Sequence, residues 1–158
     1  MKNIKVFFAV LALMAMACVC SSTPSTPPEK IGEATTSPSV PAVTIYKVGD
    51  IIQTGSSTIT LNSATFNGAI LDTNFTIENN GTAEIAISSM ISFSAKDDSG
   101  TKLEEEIFDC STSIGGSILP GDKTKGSVCW KGFTSDTVKI YYTPDLFSSQ
   151  TVVWEVSK

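Results

Sequence analysis

Apolar and polar residues alternate with a period of two from Ile45 to the C terminus, in short runs separated by turn residues. Between positions 71 and 78, Leu71, Phe75 and Ile77 share one side of the alternation, and Asn79-Asn80-Gly81 ends the run as a turn. A period of two places successive side chains on opposite faces of a β-strand, so that each strand buries one face. A second sheet must cover those faces, and about seven such runs predict an all-β sandwich of two antiparallel sheets.

The same pattern predicts individual strands and a core. Thr, Ser, Ile and Val are abundant in this part of the chain, which favours strands over helices. We expect strands near 58–62, 71–78, 85–87, 91–95, 102–108, 125–131, 137–142 and 151–156, with turns near 97–100, 120–122 and 144–145. The residues expected in the core are Phe75, Ile77, Ile91, Phe93, Val128 or Trp130, and Trp154.

Residues 1–17 form a predicted signal peptide. Lys2 and Lys5 precede an uninterrupted apolar run from Val6 to Met16, and Ala17 supplies a small residue at the expected cleavage site. The apolar run is shorter than the roughly 20 residues that cross a bilayer as a helix, so we expect it to be removed. The sequence therefore predicts export.

Cys18 directly follows the predicted cleavage site, and Ala15-Met16-Ala17-Cys18 resembles a lipobox. We predict lipid attachment to Cys18, which would hold the mature chain at the extracytoplasmic side of the cell membrane. Cys20, preceded by Val19, fits the pattern less well, and its state stays open. Ordinary cleavage after Ala17, which would give a soluble secreted protein, is the alternative.

Residues 18–44 are predicted to form a linker between the attachment cysteine and the domain at 45–158. The segment is rich in Ser, Thr and Pro, and it carries too few apolar side chains to offset the entropy cost of ordering. A flexible tether and an O-glycosylated stalk fit this composition equally well.

Several turn and strand signatures occur together in a recognisable order. They are Tyr46-Lys47-Val48-Gly49-Asp50, the strand 71–78 with Asn79-Asn80-Gly81, the turn Asp98-Ser99-Gly100, and the segment 119–126. Residues 46–156 thereby resemble domain of unknown function family 4352, a telokin-like domain of prokaryotic lipoproteins. The resemblance implies an immunoglobulin-like sandwich without enzymatic activity. The cysteine pair in the domain departs from the simplest form of that family's pattern.

The absence of two residue types excludes several functions. The chain contains no His, and all of its basic residues are Lys. The usual general base near neutral pH and the usual nitrogen ligand for metals are therefore missing, as is the planar fork of Arg. Without Lys2 and Lys5, nine Lys face sixteen carboxylates, a net charge of −7 that would repel nucleic acid. We predict a protein that is not an enzyme and that needs no cofactor.

An acidic group on either side of Gly100 is a weak candidate for a calcium site. Its members are Asp97, Asp98, Glu104, Glu105, Glu106 and Asp109. A hairpin closed at Gly100 would bring the two halves of this group together, and hard cations bind clusters of oxygen ligands. The spacing matches no EF-hand loop, so solvated acidic turns are the simpler interpretation.

Asn74 and Asn80 each lie in an Asn-x-Thr sequence that glycosylation machinery can read. Asn80 is the better candidate because it lies in a predicted turn. Chance occurrence in a Thr-rich chain explains both sequences as well.

Cys110 and Cys129 are the cysteines of the predicted domain, and we expect them to form a disulfide. Export places the domain where such bonds persist, and the turn at Pro120-Gly121-Asp122 could return the chain to bridging distance. Two buried free thiols are the alternative.

These observations favour a tethered, monomeric, non-catalytic module that contacts envelope proteins or glycans. A ligand-binding or calcium-binding surface protein that uses the acidic turn is the alternative function.

Overall fold

The computed structural model describes residues 43–108, 110, 112–145 and 149–158. The predicted signal peptide, Cys18, the linker before residue 43 and Asp109 lie outside the described residues. Within the described part, the chain forms eleven strands and one helical turn. These are β1 Ile45–Tyr46, β2 Ile51–Thr54, β3 Ser57–Asn67, β4 Ile70–Asn79, β5 Ile85–Ser88, α1 Ser89–Ser92, β6 Phe93–Asp97, β7 Glu104–Glu105, β8 Gly115–Ile118, β9 Lys123–Lys131, β10 Thr137–Tyr142 and β11 Val152–Ser157.

The strands form a β-sandwich, which confirms the predicted fold class. One sheet has the order β2-β3-β4-β9-β7, the other has the order β1-β11-β10-β6, and β5 and β8 form a separate pair. Neighbouring strands are antiparallel, except that β1 runs parallel to β11. Within the described residues, no helix has the length and apolar character needed to cross a membrane.

Aromatic side chains from both sheets meet in the core. Phe75 of β4 lies 4.7 Å from Phe93 of β6 and 5.6 Å from Trp154 of β11, measured between ring centroids. Phe93 in turn lies 5.0 Å from Tyr142 of β10. The alternation of apolar and polar residues in β4 therefore has the predicted effect. Every second side chain of the strand points toward the opposite sheet. The predicted core residues Phe75, Ile77, Phe93, Val128, Trp130 and Trp154 are all buried.

The prediction that Ile91 belongs to the core is wrong. Ser89–Ser92 forms a helical turn between β5 and β6, and the side chain of Ile91 is 59% exposed. A helical turn breaks the alternation of faces, so Ile91 does not share the face of Phe93 although the two residues are separated by two positions.

The chain between Gly100 and β9 also differs from the expected pattern. The strand expected at 102–108 is only the two-residue β7, and the Gly-rich strand β8 was not predicted. The segment before β8 then forms an isolated parallel β-bridge with β9, between Ser113 and Ser127. Ser127 N–H donates to the Thr112 carbonyl at 2.6 Å, and Ile114 N–H donates to the Ser127 carbonyl at 3.1 Å.

Gly126 makes this close approach possible. A Cβ atom at position 126 would lie 2.7 Å from Ile114 Cα and 2.8 Å from Ile114 N, and these backbone atoms can yield only if the segment before β8 moves. We expect Gly126→Ala to lower the free energy of unfolding by about 1–3 kcal/mol, the usual range for overpacking. Urea denaturation measures this change.

Gly115→Ala is the matched control, because the nearest atom to its added Cβ would be the Ile87 carbonyl oxygen at an ordinary 3.5 Å. We expect its stability to stay within about 0.5 kcal/mol of the parent. Equal losses in the two variants would contradict the steric explanation.

Candidate functional site

Asp97, a member of the acidic group considered as a calcium site, has a structural role at the end of β6. Its Oδ1 accepts hydrogen bonds from the Ser99 hydroxyl and from Thr101 N–H at 3.0 Å. Its Oδ2 accepts from the Thr134 hydroxyl at 2.8 Å and from Thr134 N–H at 3.3 Å. The Asp97 carboxylate therefore closes the turn after β6 and fastens it to the loop before β10.

These hydrogen bonds favour the charged form of Asp97. Donation from the Ser99 hydroxyl, followed by donation from the Thr134 hydroxyl, lowers the pKa of Asp97 from its ordinary value of 3.8 to about 2, although burial opposes the shift. The contribution of Asp97 to stability is therefore fully present above pH 4, and it is lost as the pH falls through about 2.

We expect the difference in melting temperature between the parent and Asp97→Asn to be constant from pH 7 to pH 5. It should then shrink between about pH 4 and pH 2, because only the parent loses a charged acceptor in that range. Thermal melts at pH 7, 4 and 2 measure the difference. Asp98→Asn, at an exposed neighbouring position, controls for the loss of one negative charge. A difference that does not change down to pH 2 would contradict this role of Asp97.

The other acidic candidates do not join Asp97. The hairpin at Gly100 does close, with Leu103 N–H donating to the Ala95 carbonyl at 2.9 Å. The chain then leaves β6 and pairs with β9 of the other sheet, which carries Glu104 and Glu105 away from the turn.

Glu106, the last of the calcium candidates that the structure describes, is engaged elsewhere. It accepts from Lys131 Nζ at 2.6 Å and from Phe108 N–H at 3.1 Å. The hydrogen bond from Lys131 lowers the pKa of Glu106. Among the described residues, Asp97, Asp98, Glu104 and Glu106 do not assemble into a group with the close ligand spacing of a metal site.

The disulfide predicted between Cys110 and Cys129 is present, with Cα atoms 5.6 Å apart. Cys129 is buried on β9, and the bond ties the segment before β8 to this strand. Asp72 of β4 lies directly opposite Cys129 in the pairing of the two strands.

Asp72 was not predicted as a site residue. One of its carboxylate oxygens lies within 4.8 Å of both sulfur atoms, and among the described residues this is the one close group of three acidic or cysteine side chains. Its Oδ1 is buried and has no hydrogen-bond partner within the described part of the chain. Local alternation places Asp72 on the polar face of β4, but the register between β4 and β9 brings it to the disulfide.

The two Asn-x-Thr sequences differ in accessibility. Asn74 Oδ1 accepts from Asn62 Nδ2 at 3.0 Å, and Asn74 Nδ2 donates to the Ser127 hydroxyl at 3.2 Å, so both ends of its amide are engaged. Asn80 follows β4 and is exposed. The structure therefore favours Asn80 as the acceptor, while modification of either residue stays a prediction.

An apolar groove opens between α1 and β7, with a volume of about 420 Å³. Phe93, Leu103 and Trp130 contribute apolar surface to it, and the more exposed side chains of Met90 and Ile107 line it as well. Lys102, Glu104 and Glu105 are its charged lining residues. We call this feature the Met90–Ile107 groove. The groove could not be predicted from the sequence, because its apolar residues come from three segments that are distant in the chain.

Comparison with solved structures identifies other β-sandwiches. An uncharacterised β-sandwich protein from Clostridium difficile 630 superposes with a TM-score of 0.52 and 17% identity, over 77% of this chain and 100% of that one. MPT63, a secreted protein from Mycobacterium tuberculosis, gives a TM-score of 0.50 and 12% identity, over 74% of this chain and 100% of that one.

A proposed lipoprotein from Bacillus subtilis, ycdA, gives a TM-score of 0.55 and 14% identity, and the match covers 68% of this chain and 38% of that one. At these identities the likenesses establish the fold alone. No family model matches the sequence, and the search of curated proteins gave no match. Membership of the telokin-like family therefore stays a prediction.

Proposed function

We propose that this chain is a lipid-anchored extracytoplasmic domain that serves as a non-catalytic interaction module at the cell surface. The observation that carries the location is the disulfide between Cys110 and Cys129. Such bonds persist in oxidising compartments and are rare in the cytosol. The signal-peptide pattern of residues 1–17 and the occurrence of similar sandwiches in a secreted protein and a proposed lipoprotein support the same location.

Replacement of Cys18 tests the anchor. We expect Cys18→Ser to move the mature protein from the membrane fraction to the medium or soluble fraction, because two acyl chains hold a protein firmly and none remain in the variant. Cys20→Ser is the matched control and should stay in the membrane fraction. Detergent phase partitioning of both variants measures the change. If Cys18→Ser is as membrane-bound as the parent, Cys18 is not the anchor.

The Met90–Ile107 groove is the surface that best supports an interaction. Met90 is 72% exposed and Ile107 is 52% exposed, and Phe108, next in the chain, is 94% exposed. Apolar side chains grouped in this way around a recess are typical of protein interaction sites. Glu104 and Glu105 line the groove, and the chain after Ala17 is strongly acidic. The partner is therefore proposed to be an envelope protein segment that carries an apolar side chain flanked by Lys or Arg.

Site-specific cross-linking on intact cells tests this interaction. A photoreactive residue at position 107 is expected to capture a reproducible partner. The same residue at position 119 should not, because Leu119 is similarly exposed at 54% but precedes the opposite end of β9. Peptide mapping of the product should identify a basic and apolar segment.

Glu104→Lys together with Glu105→Lys should reduce capture at position 107 without changing the melting temperature appreciably, since Glu104 is exposed and Glu105 is half-buried. Equal capture at positions 107 and 119, or capture at neither, would contradict the interaction proposal.

A further inference from the structure

Asp72 lies beside the disulfide with an unsatisfied oxygen. Its Oδ1 is buried without a hydrogen-bond partner among the described residues, whereas Cys110 and Cys129 cannot donate to it while their sulfur atoms are bonded to each other. A buried carboxylate oxygen without a partner is unfavourable. Reduction of the disulfide would allow this oxygen to be satisfied, since each sulfur could then carry a proton or bind a cation.

We propose that Cys110, Cys129 and Asp72 form a binding site for a thiophilic divalent cation such as Zn²⁺ when the disulfide is reduced. One Asp72 oxygen and the two sulfur atoms already lie within 4.8 Å of one another. Ligand atoms around a tetrahedral zinc ion are roughly 3.3–3.8 Å apart, as follows from the usual zinc–ligand distances. Small side-chain movements therefore bring the three groups to coordination distance.

The local structure allows these movements. Cys129 and Asp72 are held opposite each other by the pairing of β9 with β4, whereas Cys110 lies outside any strand. The two paired strands fix two of the ligands, and Cys110 can approach the ion from the segment before β8. Three protein ligands leave one tetrahedral position for water.

The chemistry of the ligands selects the metal. Thiolates are soft ligands that favour zinc over calcium or magnesium, whereas a carboxylate contributes a further negative charge. Reduction by a dithiol supplies two electrons and two protons to the cysteine sulfurs, and the dithiol leaves as its own disulfide. The cation then binds as the two protons pass to solvent. The disulfide and the metal site are mutually exclusive states of the same two sulfurs.

Cobalt titration of the full mature chain tests this proposal. The protein is reduced with a phosphine, freed of reductant without oxygen, and titrated with Co²⁺. The reduced parent is expected to bind one equivalent, with the thiolate-to-cobalt charge-transfer absorption that two sulfur ligands produce. Zn²⁺ should displace the cobalt and raise the melting temperature of the reduced protein. The oxidised parent should show neither effect.

Asp72→Asn separates this site from binding by any two free thiols. The variant should bind Co²⁺ about tenfold more weakly or worse, since even the loss of an indirect partner of a metal ligand costs that much. Glu78→Gln, which removes an exposed carboxylate from the same face of β4, should bind like the parent.

Circular dichroism follows the fold throughout this titration. The proposal is overturned if the reduced parent gives no thiolate–cobalt absorption or if Asp72→Asn binds as tightly as the parent. It is also overturned if the reduced chain loses its strand signal and the metal does not restore it.

Discussion

Trp154→Ala is expected to lower the free energy of unfolding by about 3–5 kcal/mol, the range measured for truncation of large buried aromatic side chains. Trp154 is fully buried on β11 and contacts Phe75 of the opposite sheet, so its loss leaves a cavity between the two layers. Small domains have a total stability of about 5–15 kcal/mol, and the variant would therefore be close to unfolding.

The loss should come from packing alone. Trp154 Nε1 has no hydrogen-bond partner among the described residues, so truncation breaks no hydrogen bond within that part of the structure. Urea denaturation followed by circular dichroism measures the change. Ile51→Ala on the edge strand β2 is the control, because Ile51 is 76% exposed and should change stability by less than about 0.5 kcal/mol. A loss below 1 kcal/mol for Trp154→Ala would contradict its place in the core.

Loss of the disulfide should lower the free energy of unfolding by roughly 3 kcal/mol. Cys110 and Cys129 are 19 residues apart, and closing a loop of this size restricts the unfolded chain by about that amount. The bond also fixes the segment that forms the β-bridge with Ser127, so reduction removes a native constraint as well.

Two measurements examine this effect. Urea midpoints of oxidised and reduced protein, in buffer with a metal chelator, give the size of the loss, and the Cys110→Ala/Cys129→Ala double variant should match the reduced parent. Free-thiol labelling of the unfolded, unreduced parent should leave both residues unlabelled. Labelling of both cysteines, or equal midpoints with and without reductant, would show that the bond does not form.

Much of the fold could be predicted from the sequence where a strand is long and buried on one face. The alternation in Ile70–Asn79 identified Phe75 and Ile77 correctly, because each pleat reverses the direction of the side chain. The same rule misplaced Ile91, because a four-residue helical turn replaces the strand there. Its N-cap residue, Ser88, makes no side-chain capping hydrogen bond, and its sequence, Ser-Met-Ile-Ser, contains no Gly or Pro that would have marked the turn. β8 was missed because Gly115 and Gly116 have low strand propensity.

The features of the candidate sites were less predictable, since they depend on contacts between distant segments. The link between Asp97 and Thr134 joins residues 37 positions apart, and without it Asp97 resembles any acidic turn residue. The position of Asp72 beside Cys129 depends on the register of β4 against β9. The alternation of apolar and polar residues along each strand does not by itself determine which residues of the two strands are paired. The disulfide was predictable for a different reason, because two cysteines in one domain that is predicted to be exported leave few alternatives.

The most direct test of a lipid-anchored extracytoplasmic domain is mass spectrometry of the N-terminal tryptic peptide of the protein purified from membranes. Cleavage after Ala17 and after Lys30 would give a peptide of residues 18–30. We predict that this peptide begins at Cys18 and carries a diacylglyceryl group on the Cys18 sulfur, the two-chain anchor that stable membrane attachment requires. An unmodified peptide beginning at Cys18, or a chain that retains residues 1–17, would contradict the account.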